Sequence, residues 1–190
     1  MKRDEQILEA ACRLFVARGY SMVSIDEIGA AAGVTGPAIY RHFGAKSAIL
    51  ATLCHASIDR LIEFVGPKRL DPVEELEALL VGQARLSIKH PELVRIYESD
   101  ERSLPKNLRA EVRRRQREHA RRWVTVLAIL HPHASIADLE IAAFAAIGLL
   151  LSAARWPRAA RAHPALTGRL VQAARNSMGS YAVTAVKRRA

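Results

Sequence analysis

The sequence predicts an all-α fold: an N-terminal three-helix head containing a helix-turn-helix, then a larger helical body. Three observations carry this. Aromatic residues make up only 5% of the 190 although half of the chain is hydrophobic, and Ala and Leu, which favour helix over sheet, are abundant. Apolar residues recur at spacings of three and four, the period of a helix face. Breaker pairs such as Gly66-Pro67, His90-Pro91 and His131-Pro132 punctuate the periodic segments.

The first helix is expected from about Asp4 to Ala17, with Ile7, Ala11, Leu14 and Phe15 on one face and Gly19 ending it. Ser24-Ile25-Asp26-Glu27 reads as a capping box that starts a second helix. In such a box Ser24 accepts from the Glu27 N–H and Glu27 reaches back. Ile28, Ala31 and Ala32 supply its inner face, and Gly33 stops it. Thr35 caps a third helix with Pro37 in its first turn, where a missing N–H costs nothing. Ile39 and Phe43 hold that helix to its neighbours. A fourth helix starts near Lys46 and ends at Gly66-Pro67, the clearest boundary in the chain.

Later helices are expected over Pro72–Lys89, from Glu92 to about Glu101, and from Leu104-Pro105 through Leu130. On the long helix Val112, Gln116, Ala120, Trp123, Leu127 and Leu130 form the inward stripe. Ser135 to about Trp156 is apolar nearly all round, and Pro164 opens a last helix to about Val186, followed by a frayed Lys187-Arg188-Arg189. The organisation is therefore a head over 1–45, a connecting helix over 46–66 and a body over 67–190.

The net charge of +10 favours a polyanionic partner. It does not mark the head, however: residues 1–50 are only +1, and the other 140 carry +9. Cys12 and Cys54 both fall within helical patterns, which fits reduced thiols and a cytoplasmic protein. No secretory segment follows Met1. Ile141–Ala154 reads as a buried helix too short to span a bilayer.

Two short helices joined by Gly33-Val34 make a helix-turn-helix, which places the second helix in the DNA major groove. The run Gly33-Val34-Thr35-Gly36-Pro37-Ala38-Ile39-Tyr40-Arg41-His42-Phe43, with Lys46 after it, resembles the recognition segment of TetR-family (TetR/AcrR-type) regulators. So do Leu14-Phe15 before Gly19-Tyr20, and Ile25-Asp26-Glu27-Ile28 before Ala31-Ala32-Gly33. The specific likeness covers about the first fifty residues. It implies a homodimeric transcriptional regulator that binds a palindromic operator on double-stranded DNA and is released by a small-molecule effector. Repression and activation both remain open. The resemblance gives Tyr40, Lys46, Ser24, His42 and Thr35 to phosphates. It gives Gly36, Pro37, Ala38 and Arg41 to base edges, where Arg41 alone has the reach to bind guanine. Gly36 and Ala38 depart from many members by offering no polar group.

In the resembled family the last two helices form the dimer; here they carry Leu149, Leu150, Leu151 and Trp156, then Leu166, Leu170, Val171 and Met178 with small Ala173, Ala174, Ser177 and Ser180. The long helix carries Arg109, Arg113, Arg114, Arg115, Arg117, Arg121 and Arg122. Two readings stay open for them: a solvated basic face, or arginines that meet an anionic effector such as an acyl-CoA. Pocket candidates are Phe64, Leu86, Tyr97, Arg113, Arg117, Trp123, Phe144 and Trp156. No cofactor, metal site, catalytic group or membrane association is expected. His131-Pro132-His133 lacks further ligands, and neither cysteine has a partner base in sequence. The competing classes are an enzyme with an incidental helix-turn-helix and a non-specific architectural DNA binder, which calls for a more basic head.

Overall fold

The computed structural model describes residues 3–187, with side chains described through Gly179. The expectations for Ser180, Arg188 and Arg189 lie outside those residues. Among the described residues the regular structure is helical: α1 (Arg3–Arg18), α2 (Ile25–Ala32), α3 (Gly36–Phe43), α4 (Lys46–Val65), α5 (Pro72–Lys89), α6 (Pro91–Asp100), α7 (Lys106–Leu130), α8 (Ile136–Ser152), α9 (Arg158–Arg161) and α10 (Leu166–Lys187). The all-α expectation holds. The four-residue α9 was not anticipated, because one turn is too short to show a period.

The chain divides into two compact units: Met1–Ile58 with Glu92–Arg114, and Asp59–Pro91 with Arg115–Ala190. This places the break within α4 and again within α7, where the sequence pattern puts a head boundary at 45 and a body boundary at 66.

In the first unit, Ile7, Ala11 and Phe15 of α1 meet Ile28 of α2, Ile39 of α3 and Ile49, Leu50, Leu53 and Cys54 of α4. Leu93, Ile96, Leu104 and Val112 complete the same core. Each fully buried Ile or Leu contributes about 1.5–3 kcal/mol by leaving water. The fold therefore rests on this cluster more than on the propensity of its short helices.

In the second unit α5 lies against both α8 and α10, which also pack on each other. Asp71 caps α5 by accepting from the N–H groups of Val73 and Glu74. Gly82 lets α5 close on the end of α4: a Cβ there would lie 2.4 Å from Val65 Cγ2 and 2.9 Å from its Cα. Leu79, Leu80 and Ala84 of α5, Ala143, Ala146 and Leu150 of α8, and Leu170 and Ala174 of α10 are buried.

Two expectations need correction. On α7, Gln116 is exposed and His119 is buried instead, beside Trp123, Val126 and Leu127. Positions 116 and 119 are both within one turn of the Val112–Trp123 face, and spacing alone does not say which of two polar residues turns inward. The apolar stretch read as too short is also longer than supposed: Ile136–Arg155 spans 20 residues and is long and apolar enough to cross a membrane. Length therefore does not exclude it. The buried-helix reading holds for one face only: Leu139, Ala142, Ala143, Ala146 and Leu150 are buried, while Ile136, Ile141 and Phe144 are exposed.

Candidate nucleic-acid interface

The helix-turn-helix is built by local hydrogen bonds that the sequence writes in order. At the start of α2, Glu27 N donates to Ser24 Oγ at 3.2 Å and Ser24 N donates to Glu27 Oε2 at 2.7 Å. Arg18 adds an ion pair to Glu27 Oε1 at 2.6 Å. The Ser24 backbone N–H, then Arg18 and the Ser24 hydroxyl, hold the Glu27 carboxyl down at about 2. Gly33 closes α2 in the left-handed region at φ 67°.

The turn also explains a residue that pattern reading missed. Val34 N donates to Gly29 O at 2.9 Å. A Cβ on Gly29 would stand 2.7 Å from Val34 O, a backbone atom that cannot step aside. Gly29 is thus the small residue the motif demands. Ala31, to which the sequence reading gave an inward place, is exposed. A glycine inside a helical run is the signal that pointed to close backbone approach.

α3 is anchored by Ile39, its one buried residue. Around it Pro37, Tyr40, Arg41 and His42 are exposed, Tyr40 by 54%. Thr35 is the N-cap, but its side chain makes no capping hydrogen bond, so its hydroxyl is not spent on its own helix. Gly36 and Ala38 are half-buried. A Cβ at 36 would meet Asp26 Oδ1 at 2.6 Å, the tip of a side chain that can turn aside. His42 Nδ1 lies 2.5 Å from Asp4 Oδ1, tying the end of α3 to the first turn of α1. Lys46 Nζ donates to the carbonyls of Tyr20 at 3.0 Å and Val23 at 2.7 Å. Two of its three protons are thereby engaged inside the protein.

The structure therefore leaves Thr35, Pro37, Tyr40, Arg41 and His42 exposed around Ile39, with Thr35, Arg41 and His42 lining a common hollow. Residues 7–53 match the family described as bacterial regulatory proteins, tetR family, and residues 69–160 match a tetracyclin repressor-like C-terminal domain. The chain belongs to the TetR family. Among curated relatives, the transcriptional activator FasR of Mycolicibacterium smegmatis is 38% identical over 68 residues, 34% of this chain and 31% of that protein. The transcriptional repressor KstR2 of Mycobacterium tuberculosis is 25% identical over 129 residues, 66% of this chain and 64% of that protein. The match thus spans about a third of the first and under two thirds of the second. A solved structure of AibR, in complex with isovaleryl coenzyme A and operator DNA, has a TM-score of 0.76 at 23% identity, covering 90% of this chain and 95% of that one. At that identity the likeness establishes the TetR fold.

The effector candidates are distributed over both units. Tyr97 and Arg113 belong to the first unit, where Arg113 grips Glu101 with Nε at 2.7 Å and Nη2 at 3.2 Å. In the second unit Leu86 and Trp123 are core residues. Phe144 and Arg117 line a groove of about 790 Å³ between α7 and α8, together with Arg121, Val124, Ile129, Ile136 and Glu140. Phe64 lies in a different groove, with Arg69, Val73 and Glu77. Trp156 is 38% exposed.

The arginines of α7 are mostly engaged as well. Arg115 pairs with Asp59 and Arg122 with Glu75, while Arg109 donates to the Arg102 carbonyl. A solvated basic face describes only part of them. Arg117 and Arg121 are the two that face the α7–α8 groove. The sequence reading also missed the buried polar residues Glu75, Gln83, Ser87 and His119. Trp123 Nε1 donates to His119 Nε2 at 3.1 Å, and burial, with Arg122 nearby, pushes the imidazole down to about 4.

Proposed function

We propose that this protein is a cytoplasmic transcriptional regulator that binds a palindromic DNA operator as a homodimer and leaves it when a small effector binds. Residues 1–45 form the DNA-binding domain, 46–66 connect, and 67–190 dimerise and bind effector. The observation that carries this is the exposed Thr35–Pro37–Tyr40–Arg41 side of α3, on a helix held rigid by the Gly29–Val34 turn. A protruding helix with a phenol, a guanidinium and a free hydroxyl suits the major groove and its flanking phosphates. Ser24 and Lys46 serve at the edges, Lys46 with its one remaining proton. Gly36, Pro37 and Ala38 allow close approach to the bases and contact thymine methyls.

Repression is the proposed mode: the named relatives include the repressor KstR2 and the activator FasR, and an effector that favours a body conformation unsuited to DNA separates the recognition helices. An acyl-CoA is the concrete effector candidate. Isovaleryl coenzyme A in the AibR structure supports that class. The engaged Arg113 and the dispersed pocket residues speak for Arg117 over Arg113 as its partner. The relatives named are regulators, and no enzymatic role is proposed.

The test is selection of duplexes from random sequence by the purified protein, followed by footprinting. The expected result is a palindrome with half-sites about one turn, ~34 Å, apart. Binding is expected to be lost in Tyr40→Ala and weakened by salt. Equal binding to every duplex overturns the operator reading in favour of an architectural role. Calorimetry with acyl-CoA thioesters that shows no heat removes that effector class.

A further inference from the structure

We infer that Arg3 is a DNA-backbone contact held in place by the Asp4–His42 pair, an inference that rests on the DNA-binding reading of α3. Neither Arg3 nor Asp4 belongs to the helix-turn-helix. The Asp4–His42 contact joins residues 38 positions apart and fixes the first turn of α1 beside the last turn of α3. As a result, Arg3 lines one hollow of about 550 Å³ together with Gly33, Val34, Thr35, Ala38, Arg41 and His42.

Four features of that hollow point to a nucleic-acid phosphate. Its two guanidiniums, Arg3 and Arg41, belong to different helices and are both exposed. No hydrogen bond or ion pair holds either of them among the described residues. No carboxylate lines it, and the nearby Asp4 is engaged by His42. The Thr35 hydroxyl, not used for capping, is part of the same wall.

Arg3 also stands where a folded protein gains nothing from a cation. The first turn of α1 is the positive end of its dipole, which favours Asp4 and Glu5 and opposes Arg3. An external anion resolves that conflict. A phosphate seated in the hollow meets the Arg3 guanidinium and the Thr35 hydroxyl, a set that reads backbone and not base identity, with Arg41 beside it kept for the base edge. His42 accordingly acts as a positioning residue through Asp4.

The experiment is fluorescence anisotropy of the full-length protein on a duplex it has itself selected from random sequence, across a salt series. Arg3→Ala is expected to weaken binding about fivefold to tenfold at moderate salt. It should also flatten the slope of log K against log salt by roughly 1.8 for a dimer, at about 0.9 per lost phosphate contact. Selected and random duplexes should weaken alike, since a phosphate contact carries no sequence preference. Arg3→Lys should keep the slope. Asp4→Ala should weaken binding although it removes a negative charge. An unchanged affinity and slope in Arg3→Ala overturns the contact, and tighter binding in Asp4→Ala overturns the positioning role. If Tyr40→Ala also binds normally, the DNA reading of α3 itself has failed, and the two failures are told apart.

Discussion

The ammonium of Lys46 lies 4.3 Å above the ring of Tyr20 and donates to that residue's own carbonyl oxygen at 3.0 Å. One side chain thus clamps the connection between α1 and α2 to the start of α4, with Val23 O as its second acceptor. Tyr20 in turn stacks edge-on against Phe15 of the core, at 5.3 Å between ring centres. A lysine in the first turn of a helix opposes the dipole. Here its cost is offset by two carbonyls and a π face.

This arrangement makes Lys46 a stability residue as well as a DNA candidate. Lys46→Met should lower the stability of the protein by about 2 kcal/mol, the range for charge-assisted hydrogen bonds in a half-buried setting. For a chain of this size that is a fall in melting temperature of roughly 4–8 °C. Differential scanning calorimetry without DNA reads it directly. A lysine that only touched phosphate would leave the melt unchanged.

Gly29 and Gly36 look alike in sequence but stand against different obstacles. A Cβ on Gly29 meets the backbone oxygen of Val34 at 2.7 Å; one on Gly36 meets the carboxylate tip of Asp26 at 2.6 Å. The Asp26 side chain can rotate away and the Val34 peptide cannot. Gly29→Ala should therefore destabilise by about 1–3 kcal/mol, the usual cost of forcing extra atoms into a packed site. It should also abolish DNA binding by splaying α3. Gly36→Ala should fold nearly normally. Chemical denaturation of both variants checks the contrast.

The fold was legible because its punctuation is local. Ser24-x-x-Glu27, Gly33 and Pro37 each fix a helix end by a bond or a dihedral within a few residues, and all three appear as read. The exposed side of α3 followed for the same reason, since Ile39 leaves only one way to turn the helix. What did not show was anything decided by distant partners. Arg113 reads as a cation open to solvent or an effector until Glu101 is seen against it, and Lys46 reads as a phosphate contact until Tyr20 and Val23 arrive from 26 and 23 residues away. Within the second unit the same holds for the pocket candidates: Leu86 and Trp123 are core, while Phe64 and Phe144 line different grooves, and residue type does not say which helix a side chain faces.

His119 links stability to pH. Burial, then the charge of Arg122, favours the neutral imidazole, and Glu75 opposes them only weakly. The unfolded chain takes up the proton near 6.5 and the folded one near 4. Between those values the unfolded state binds more protons, so stability is full above pH 6.5 and falls as pH drops toward 4. The loss amounts to roughly 3 kcal/mol at the low end. His119→Gln keeps an acceptor for Trp123 Nε1 and cannot titrate. Thermal melts of the two proteins from pH 7.5 to 4.5 should diverge, with the variant losing less. Parallel curves would mean that the imidazole is charged or solvated in the folded protein.

The proposed dimer face can be tested on residues that the protomer does not need. The large apolar residues that first suggested it are mostly internal: Leu150, Leu166, Leu170, Val171 and Met178 are all buried within the protomer. The exposed residues of α8 are Ile136, Ala137, Asp138, Glu140, Ile141, Phe144, Ala145 and Gly148; of these, Ala137, Ile141, Phe144, Ala145 and Gly148 are apolar or small, with Ile141 52% and Phe144 61% exposed. On α10 the exposed residues include Gly168, Arg169, Gln172, Ala173, Asn176 and Gly179. Nothing lies within 4 Å of where a side chain would start at Gly148, Gly168 or Gly179. Small residues beside exposed apolar ones let helices of a second copy approach closely, and two-fold symmetry repeats every such contact twice across the interface. Ala145→Arg then sets two charges in a desolvated interface, whereas Ala159→Arg on α9 adds the same charge to an exposed site elsewhere. Sedimentation velocity should show Ala145→Arg as a monomer with unchanged circular dichroism and a large loss of affinity for a two-half-site duplex. Ala159→Arg should remain a dimer and bind normally. A dimer that persists in Ala145→Arg moves the interface away from this part of α8.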